Sequence, residues 1–149
     1  MKLIRLHEDA GSVLLLCEEA VASKAMNELP QATDFRESSL YTWLNGEFAE
    51  QNLTDEERSR LIEVTLLSAE EAGRFFPSED ERGCRPDANA VREGVRVGGN
   101  GNCWWWLRSK GFAEDFFEIV DFAGHVCTQG TYVTLNSNGV RPAIWLRKE

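Results

Sequence analysis

The sequence predicts a mixed α+β fold in which helices and strands are segregated along the chain. Helix-start signals and helical periodicity occupy the first two-thirds, after an N-terminal hairpin pattern. From Cys103 onward the pattern changes to short strand candidates separated by turn residues. This order favours an N-terminal β-hairpin and helices packed on a C-terminal antiparallel meander over a doubly wound sheet. A length of 149 residues predicts one domain, residues 1–149.

Residues 2–17 carry the pattern of a β-hairpin. A first apolar segment is followed by the turn sequence EDAGS, in which Gly11 can adopt a positive φ. The run Val13–Cys17 is apolar throughout, as in a strand that is buried on both faces. Residues 18–37 predict a short helical piece and then a loop around Pro30.

Helices are predicted in the middle of the chain. Residues 38–49 carry one apolar stripe at helical spacing, formed by Leu40, Trp43, Leu44 and Phe48. Thr54 and Ser68 each begin a capping box, which predicts a helix start. Between them, Glu63–Leu67 is rich in β-branched residues and predicts a short strand. A last short helix is predicted over residues 86–92, with proline in its first turn.

The C-terminal third predicts strands at CWWWLRS, EIVDFA, HVCTQ, TYVTL and GVRPAIWLR. Side chains alternate along a strand, so Trp104 and Trp106 should face one side with Arg108, and Trp105 the other with Leu107. Burial of aromatic area favours a core position for at least two of the three tryptophans. The alternative is that one face is an exposed platform for a sugar or a peptide.

Arg108 and Arg141 lie inside apolar strand patterns, where an arginine is costly unless it is paired. We expect carboxylates or backbone carbonyls to satisfy them, with Asp115, Glu118 and Asp121 as candidate carboxylates; an anion-binding role is the alternative. Pro142 cannot donate to a sheet ladder, so its strand should be an edge there or carry a bulge.

Several of these motifs together resemble a bacterial family of uncharacterised domains common in gut Firmicutes. The segments that carry the resemblance are SSLYTWLNGEF, TDEERSRLIEVT, LLSAEEAGRFF, NGNCWWWLRS and GVRPAIWL. The resemblance implies a C-type-lectin-like fold, similar to the branch that contains the formylglycine-generating enzyme, in a minimal version. The structural motif residues are then Trp43, Trp104, Trp105, Trp106, Arg108, Arg141, Pro142 and Trp145.

Composition excludes several classes of function. The net charge of −9 argues against a nucleic-acid partner and against binding to an anionic membrane. The sequence shows neither a signal-peptide pattern nor an apolar run long enough to span a membrane, so we expect a soluble, cytoplasmic protein; a segment of a secreted or surface parent is the alternative. The four cysteines, at 17, 84, 103 and 127, lack zinc or redox spacing and suit free thiols, although Cys84 and Cys103 could meet in space.

The residue patterns contain no catalytic constellation, and we expect neither a metal nor a cofactor. His125 and Cys127 would share one face of a strand, which is a weak signal for a nucleophile pair. The resemblance leaves open an enzyme of the formylglycine-generating branch that uses a reactive cysteine, Cys103 or Cys127. A phage or cell-surface structural accessory domain that associates through the Pro142 edge is a further alternative.

The hypothesis we place first is a non-catalytic module that binds an unknown ligand or protein through the loops of the meander. Loops on a rigid sheet are common carriers of recognition residues. The loops concerned are residues 110–117 and 128–138. The candidate binding residues are Phe112, Phe116, Phe117, Tyr132, Asn136 and Asn138.

Overall fold

A computed structural model describes residues 1–149 and confirms a mixed α+β architecture with two sheets. The first sheet has the strand order β1-β2-β9-β4, and the second has the order β3-β8-β5-β6-β7. The strands are β1 Leu3–Glu8, β2 Ser12–Cys17, β3 Ala22–Ser23, β4 Leu61–Thr65, β5 Trp105–Lys110, β6 Phe116–Val120, β7 Val126–Tyr132, β8 Gly139–Val140 and β9 Ala143–Arg147. The helices are α1 Ser39–Trp43, α2 Ala49–Asn52, α3 Asp55–Arg60, α4 Ala69–Phe75, α5 Glu79–Arg82 and α6 Ala88–Arg92.

The predicted N-terminal hairpin is present as the antiparallel pair β1–β2. Its turn is held by the Asp9 carboxylate, whose Oδ1 accepts from the backbone N–H of Gly11 at 2.9 Å and of Ser12 at 2.8 Å. Strand β2 lies between β1 and β9 inside the first sheet. Both of its faces are buried, because Val13 and Cys17 pack in one hydrophobic cluster and Leu14 and Leu16 pack in the other.

Both predicted capping boxes form and begin α3 and α4. Helix α1 continues through a π-helical turn, Leu44–Phe48, into α2, so the predicted helix runs to Asn52. The strand predicted at Glu63–Leu67 is displaced towards the N-terminus, to β4. The helical piece predicted before Pro30 is absent, and residues 18–29 contain β3 instead. A 3-10 turn lies after Pro30, at Phe35–Glu37.

Two hydrophobic clusters contain side chains from both sheets. One cluster lies on each face of the sheets. The α1–α2 helix covers the first cluster with Leu40, Leu44 and Phe48. Helices α4 and α6 contribute small alanines to the second. The tryptophans divide between the clusters as strand alternation predicts: Trp106 lies in the first with Trp104 against it, and Trp105 lies in the second with Leu107.

The segment GVRPAIWLR does not form the single strand, with an edge or a bulge at Pro142, that its sequence predicts. It is split at Arg141–Pro142 into β8, inside the second sheet, and β9, between β2 and β4 in the first. Pro142 is buried between the two strands. The prediction of an edge at Pro142 is therefore wrong, because a proline that ends one strand lets the chain cross to the other sheet.

The sequence pair HVCTQ and TYVTL also forms one strand instead of two. Strand β7 continues through Gln129–Gly130, where Gly130 has φ +74° and the register with β6 is irregular. A glycine at positive φ can make a bulge within a strand as well as a turn between strands, and here it makes the bulge.

None of the helices has the length and the apolar character needed to cross a membrane.

Candidate binding surface

Three of the predicted binding residues meet at the outer end of the second sheet. Phe116 on β6 lies opposite Tyr132 on β7, with ring centroids 5.9 Å apart. Phe112, from the β5–β6 connection, packs edge-on against Phe116 at 5.0 Å. Phe112 is 73% exposed and Tyr132 is 52% exposed. We refer to Phe112, Phe116 and Tyr132 as the aromatic cluster.

The backbone of the β5–β6 connection fixes the position of Phe112. The Phe112 N–H donates to the Gln129 carbonyl at 3.0 Å, and the Gly111 N–H donates to the Phe116 carbonyl at 2.9 Å. A Cβ at position 111 would lie 2.3 Å from the Gln129 carbonyl oxygen, so only glycine permits this approach. The cluster is therefore held on the sheet by main-chain hydrogen bonds.

Phe117 does not belong to this surface, although it stands beside Phe116 in the sequence. Its side chain is fully buried in the first hydrophobic cluster. Adjacent residues of a strand face opposite sides of the sheet, so Phe116 and Phe117 cannot both face a ligand. The Lys110 ammonium lies 5.5 Å from the Phe117 ring and donates to the Glu114 carbonyl at 2.9 Å.

The two predicted asparagines also separate. Asn138 is buried, and its Nδ2 has no hydrogen-bond partner, so it is removed from the candidate surface. Asn136 is exposed, and its carbonyl accepts from the Ser23 hydroxyl at 2.8 Å. Asn136 lines a different feature, a groove around Trp43.

The Trp43 groove consists of two adjoining cavities of about 500 and 390 Å³ that share Lys24, Trp43 and Glu47 as lining residues. The half-buried Trp43 ring carries the Lys24 ammonium 4.7 Å from its centroid. Sequence reasoning missed this groove, because Trp43 lies on an otherwise buried helix stripe and no local pattern links it to Lys24.

The two arginines have partners other than the predicted carboxylates. Arg108 forms an ion pair with Glu71 at the start of α4 and donates to the Leu66 carbonyl at 2.8 Å. Arg141 donates to the carbonyls of Cys17 at 2.8 Å and Glu18 at 3.1 Å. The expectation of carboxylate or carbonyl partners is confirmed, whereas the assignment to Asp115, Glu118 and Asp121 is wrong. Arg108 on β5 and Arg141 after β8 both reach segments that precede them in the chain instead of β6.

His125 and Cys127 do not form an activated nucleophile pair. The His125 Nε2 lies 3.0 Å from a Glu79 carboxylate oxygen. The Cys127 sulfur is 3.7 Å from the Asp121 Oδ2, and burial together with the Asp121 charge raises the pKa of that thiol. A protonated thiol is a poor nucleophile. No group of three or more His, Cys, Asp or Glu side chains is arranged to hold a metal ion.

Trp145 of β9 is half-buried, with its ring edge-on to His7 at 6.1 Å, and is part of the first sheet's surface.

Comparison with known proteins returned one family. The family, described as a domain of unknown function (DUF6273), matches residues 10–80 and 66–148. No curated protein and no solved structure matches the chain.

Proposed function

Since the chain belongs to the DUF6273 family of domains of unknown function, we propose that it is a non-catalytic binding module that recognises a protein partner through the aromatic cluster. The observation that carries the proposal is the exposure of Phe112 and Tyr132 on either side of Phe116. Within the proposal, residues 1–149 form one domain with C-type-lectin-like architecture.

Exposed aromatic rings in mutual contact are the kind of surface that protein interfaces use. Phe and Tyr are enriched at the centres of interfaces, where a few large side chains supply most of the binding free energy. A phenylalanine that is 73% exposed gains that free energy only when a partner covers it. The rigid sheet beneath the cluster lowers the entropy lost on binding.

The geometry of the rings favours a protein over a saccharide. The rings meet edge to face, with interplanar angles of 85° and 72°, so they do not form one flat platform. They also do not line the cavities around Trp43. Rings that project in this way suit insertion into an apolar pocket of a partner.

The proposal places the module in the cytoplasm, without a nucleic-acid or membrane partner. The net charge of −9 supports both exclusions, since nucleic acids and anionic lipids attract basic surfaces.

Site-specific photo-cross-linking tests the proposal. A benzophenone amino acid is placed at position 112 or 132 of the full chain, which is expressed in cells of the source organism and irradiated. We expect the same discrete protein adduct from both positions. Matched controls carry the cross-linker at Ile62 or Val91, which are exposed apolar residues on other elements.

A partner identified in this way is purified and its affinity for the chain is measured. Phe112→Ala should weaken binding by a factor of about 30 or more, the loss that an aromatic anchor produces. Equal adducts from Ile62 and Val91, or no adduct from 112 and 132, would refute the proposal. An adduct with a second copy of this chain would replace it with self-association.

A further inference from the structure

Cys84 and Cys103 lie directly opposite each other in the fold. They form an isolated antiparallel bridge between the segment after α5 and the segment before β5, in which the Cys103 N–H donates to the Cys84 carbonyl at 2.9 Å. Both side chains are buried, and both thiols are free. Facing residues of an antiparallel pair have Cα atoms about 4.5–5.5 Å apart, which is within the range of a disulfide.

A buried cation stands beside this pair. Arg141 is 3% exposed, has no carboxylate partner, and its Nη1 has no hydrogen-bond partner. The guanidinium packs over the rings of Trp105 at 4.9 Å and Phe76 at 5.4 Å. Its Nη2 and the Cys84 sulfur both contact the Glu18 carbonyl oxygen, at 3.1 and 3.9 Å. An uncompensated buried cation favours negative charge on a nearby group, and Cys84 can supply it as a thiolate.

The two thiols have different acidities. Interaction with the neighbouring Cys103 thiol lowers the pKa of Cys84, and the charge of Arg141 lowers it further, while burial opposes the shift. Interaction with Cys84 and burial raise the pKa of Cys103. We assign Cys84 as the nucleophile because its sulfur shares the Glu18 carbonyl oxygen with the Arg141 guanidinium, and Cys103 as the thiol that retains its proton.

A polar cavity lies next to the buried pair. It has a volume of about 370 Å³ and is lined by the direct chain neighbours of both cysteines, Gly83, Arg85 and Asn102. Glu18, whose carbonyl contacts the Cys84 sulfur, also lines it. A small polar oxidant in this cavity would contact the chain neighbours of both cysteines.

We propose that Cys84 and Cys103 form a redox-active dithiol that a hydroperoxide oxidises to an intramolecular disulfide. The Cys84 thiolate attacks the distal oxygen of the hydroperoxide, and the O–O bond breaks. Cys84 becomes a sulfenic acid, and the released oxygen is protonated to water or an alcohol. The Cys103 sulfur then attacks the Cys84 sulfur, which forms the S–S bond and expels the hydroxyl, and the Cys103 proton completes a molecule of water.

The test uses the reduced full-length chain. It is treated with hydrogen peroxide, quenched with N-ethylmaleimide under denaturing conditions and analysed by peptide mass spectrometry. We expect a Cys84–Cys103 linked peptide, a loss of about 2 Da from the intact chain before alkylation, and recovery of four alkylated thiols after dithiothreitol. This experiment needs no variant and so does not depend on a substituted chain folding.

Variants then assign the roles of the two cysteines. Cys103→Ser should accumulate a sulfenic acid at Cys84, detected as a dimedone adduct, whereas Cys84→Ser should form none at Cys103. Cys17→Ser and Cys127→Ser are matched controls that should retain the disulfide. Four unmodified thiols in the native wild-type chain at a peroxide concentration that oxidises free cysteine, or a disulfide that includes Cys127, would overturn the proposal.

Discussion

Asn45 pairs with the backbone of Val64 through both ends of its side-chain amide. Its Nδ2 donates to the Val64 carbonyl at 2.8 Å, and its Oδ1 accepts from the Val64 N–H at 2.8 Å. Val64 lies on β4, which is an edge of the first sheet. The asparagine therefore occupies edge groups that would otherwise be free to pair with another strand, and it attaches the α1–α2 helix to the sheet.

Asn45→Ala should destabilise the fold by about 1–3 kcal/mol, because two partly buried backbone groups lose their partners. Urea unfolding followed by circular dichroism measures the change. Asn52→Ala is the matched control: Asn52 is exposed on the same helix and donates only to Phe48. We expect its stability to stay within about 0.5 kcal/mol of wild type. Equal effects at the two positions would contradict the role given to Asn45.

The three consecutive tryptophans should respond differently to the same substitution. The indole N–H of Trp105 donates to the Arg82 carbonyl at 3.1 Å, and that of Trp106 to the Lys24 carbonyl at 2.9 Å. Trp105→Phe and Trp106→Phe should each cost about 1–3 kcal/mol or more, from the lost hydrogen bond and the space left behind.

Trp104→Phe serves as the internal control for that pair. The Trp104 indole N–H is buried without a partner, so its removal should be close to neutral. Thermal unfolding of the three variants shows which substitution costs the most stability. A loss at position 104 as large as at 105 or 106 would show that Trp104 contributes through packing alone, against Phe122 at 5.8 Å.

Stability should fall in acid because of Glu63 and Glu71. A hydrogen bond from Arg36 lowers the pKa of Glu63. Burial would raise the pKa of Glu71, but hydrogen bonds from Arg108 and Ser68 outweigh it and lower the pKa. Both folded values lie below the ordinary 4.5, so the stabilisation is present above pH 4.5 and is lost as the pH falls through the folded values.

The free energy of unfolding measured from pH 7 to pH 3 checks this expectation. Glu71→Gln should be less stable than wild type at pH 7 and should lose less stability on acidification. Glu118→Gln should lose more stability than wild type on acidification, since burial raises the pKa of Glu118 and its Oε2 has no partner. A carboxyl with a raised folded pKa loses stability as the pH rises, so this variant should be at least as stable as wild type at pH 7.

Alanine substitutions at Phe112 and Phe117 should affect different properties, binding at position 112 and stability at position 117. Phe112→Ala, and equally Tyr132→Ala, should leave the melting temperature nearly unchanged, because both rings are largely exposed. Each should weaken binding of the cross-linked partner by a factor of about 30 or more. Phe117→Ala should cost about 3–5 kcal/mol, because that ring is fully buried. Unfolding of the Phe112 or Tyr132 variant would place those residues in the core and remove the binding surface.

Part of the candidate surface could be inferred from the sequence. Aromatic residues in loops of a meander indicated the region, and Phe112, Phe116 and Tyr132 do come together there. The sequence could not show which of the candidate binding residues are exposed in every case, since the burial of Asn138 depends on distant segments. Strand alternation alone, however, is enough to show that Phe116 and Phe117 cannot share a face.

The sequence by itself determined the local elements: the hairpin, the capping boxes at Thr54 and Ser68, and the division of the tryptophans between two faces. These depend on interactions between residues that are close along the chain. Only the tertiary structure decided that the chain crosses between sheets at Pro142, which carbonyls satisfy Arg141, and that Cys84 faces Cys103. Those contacts join segments far apart in sequence, and their energies depend on burial and on partners that no local pattern specifies.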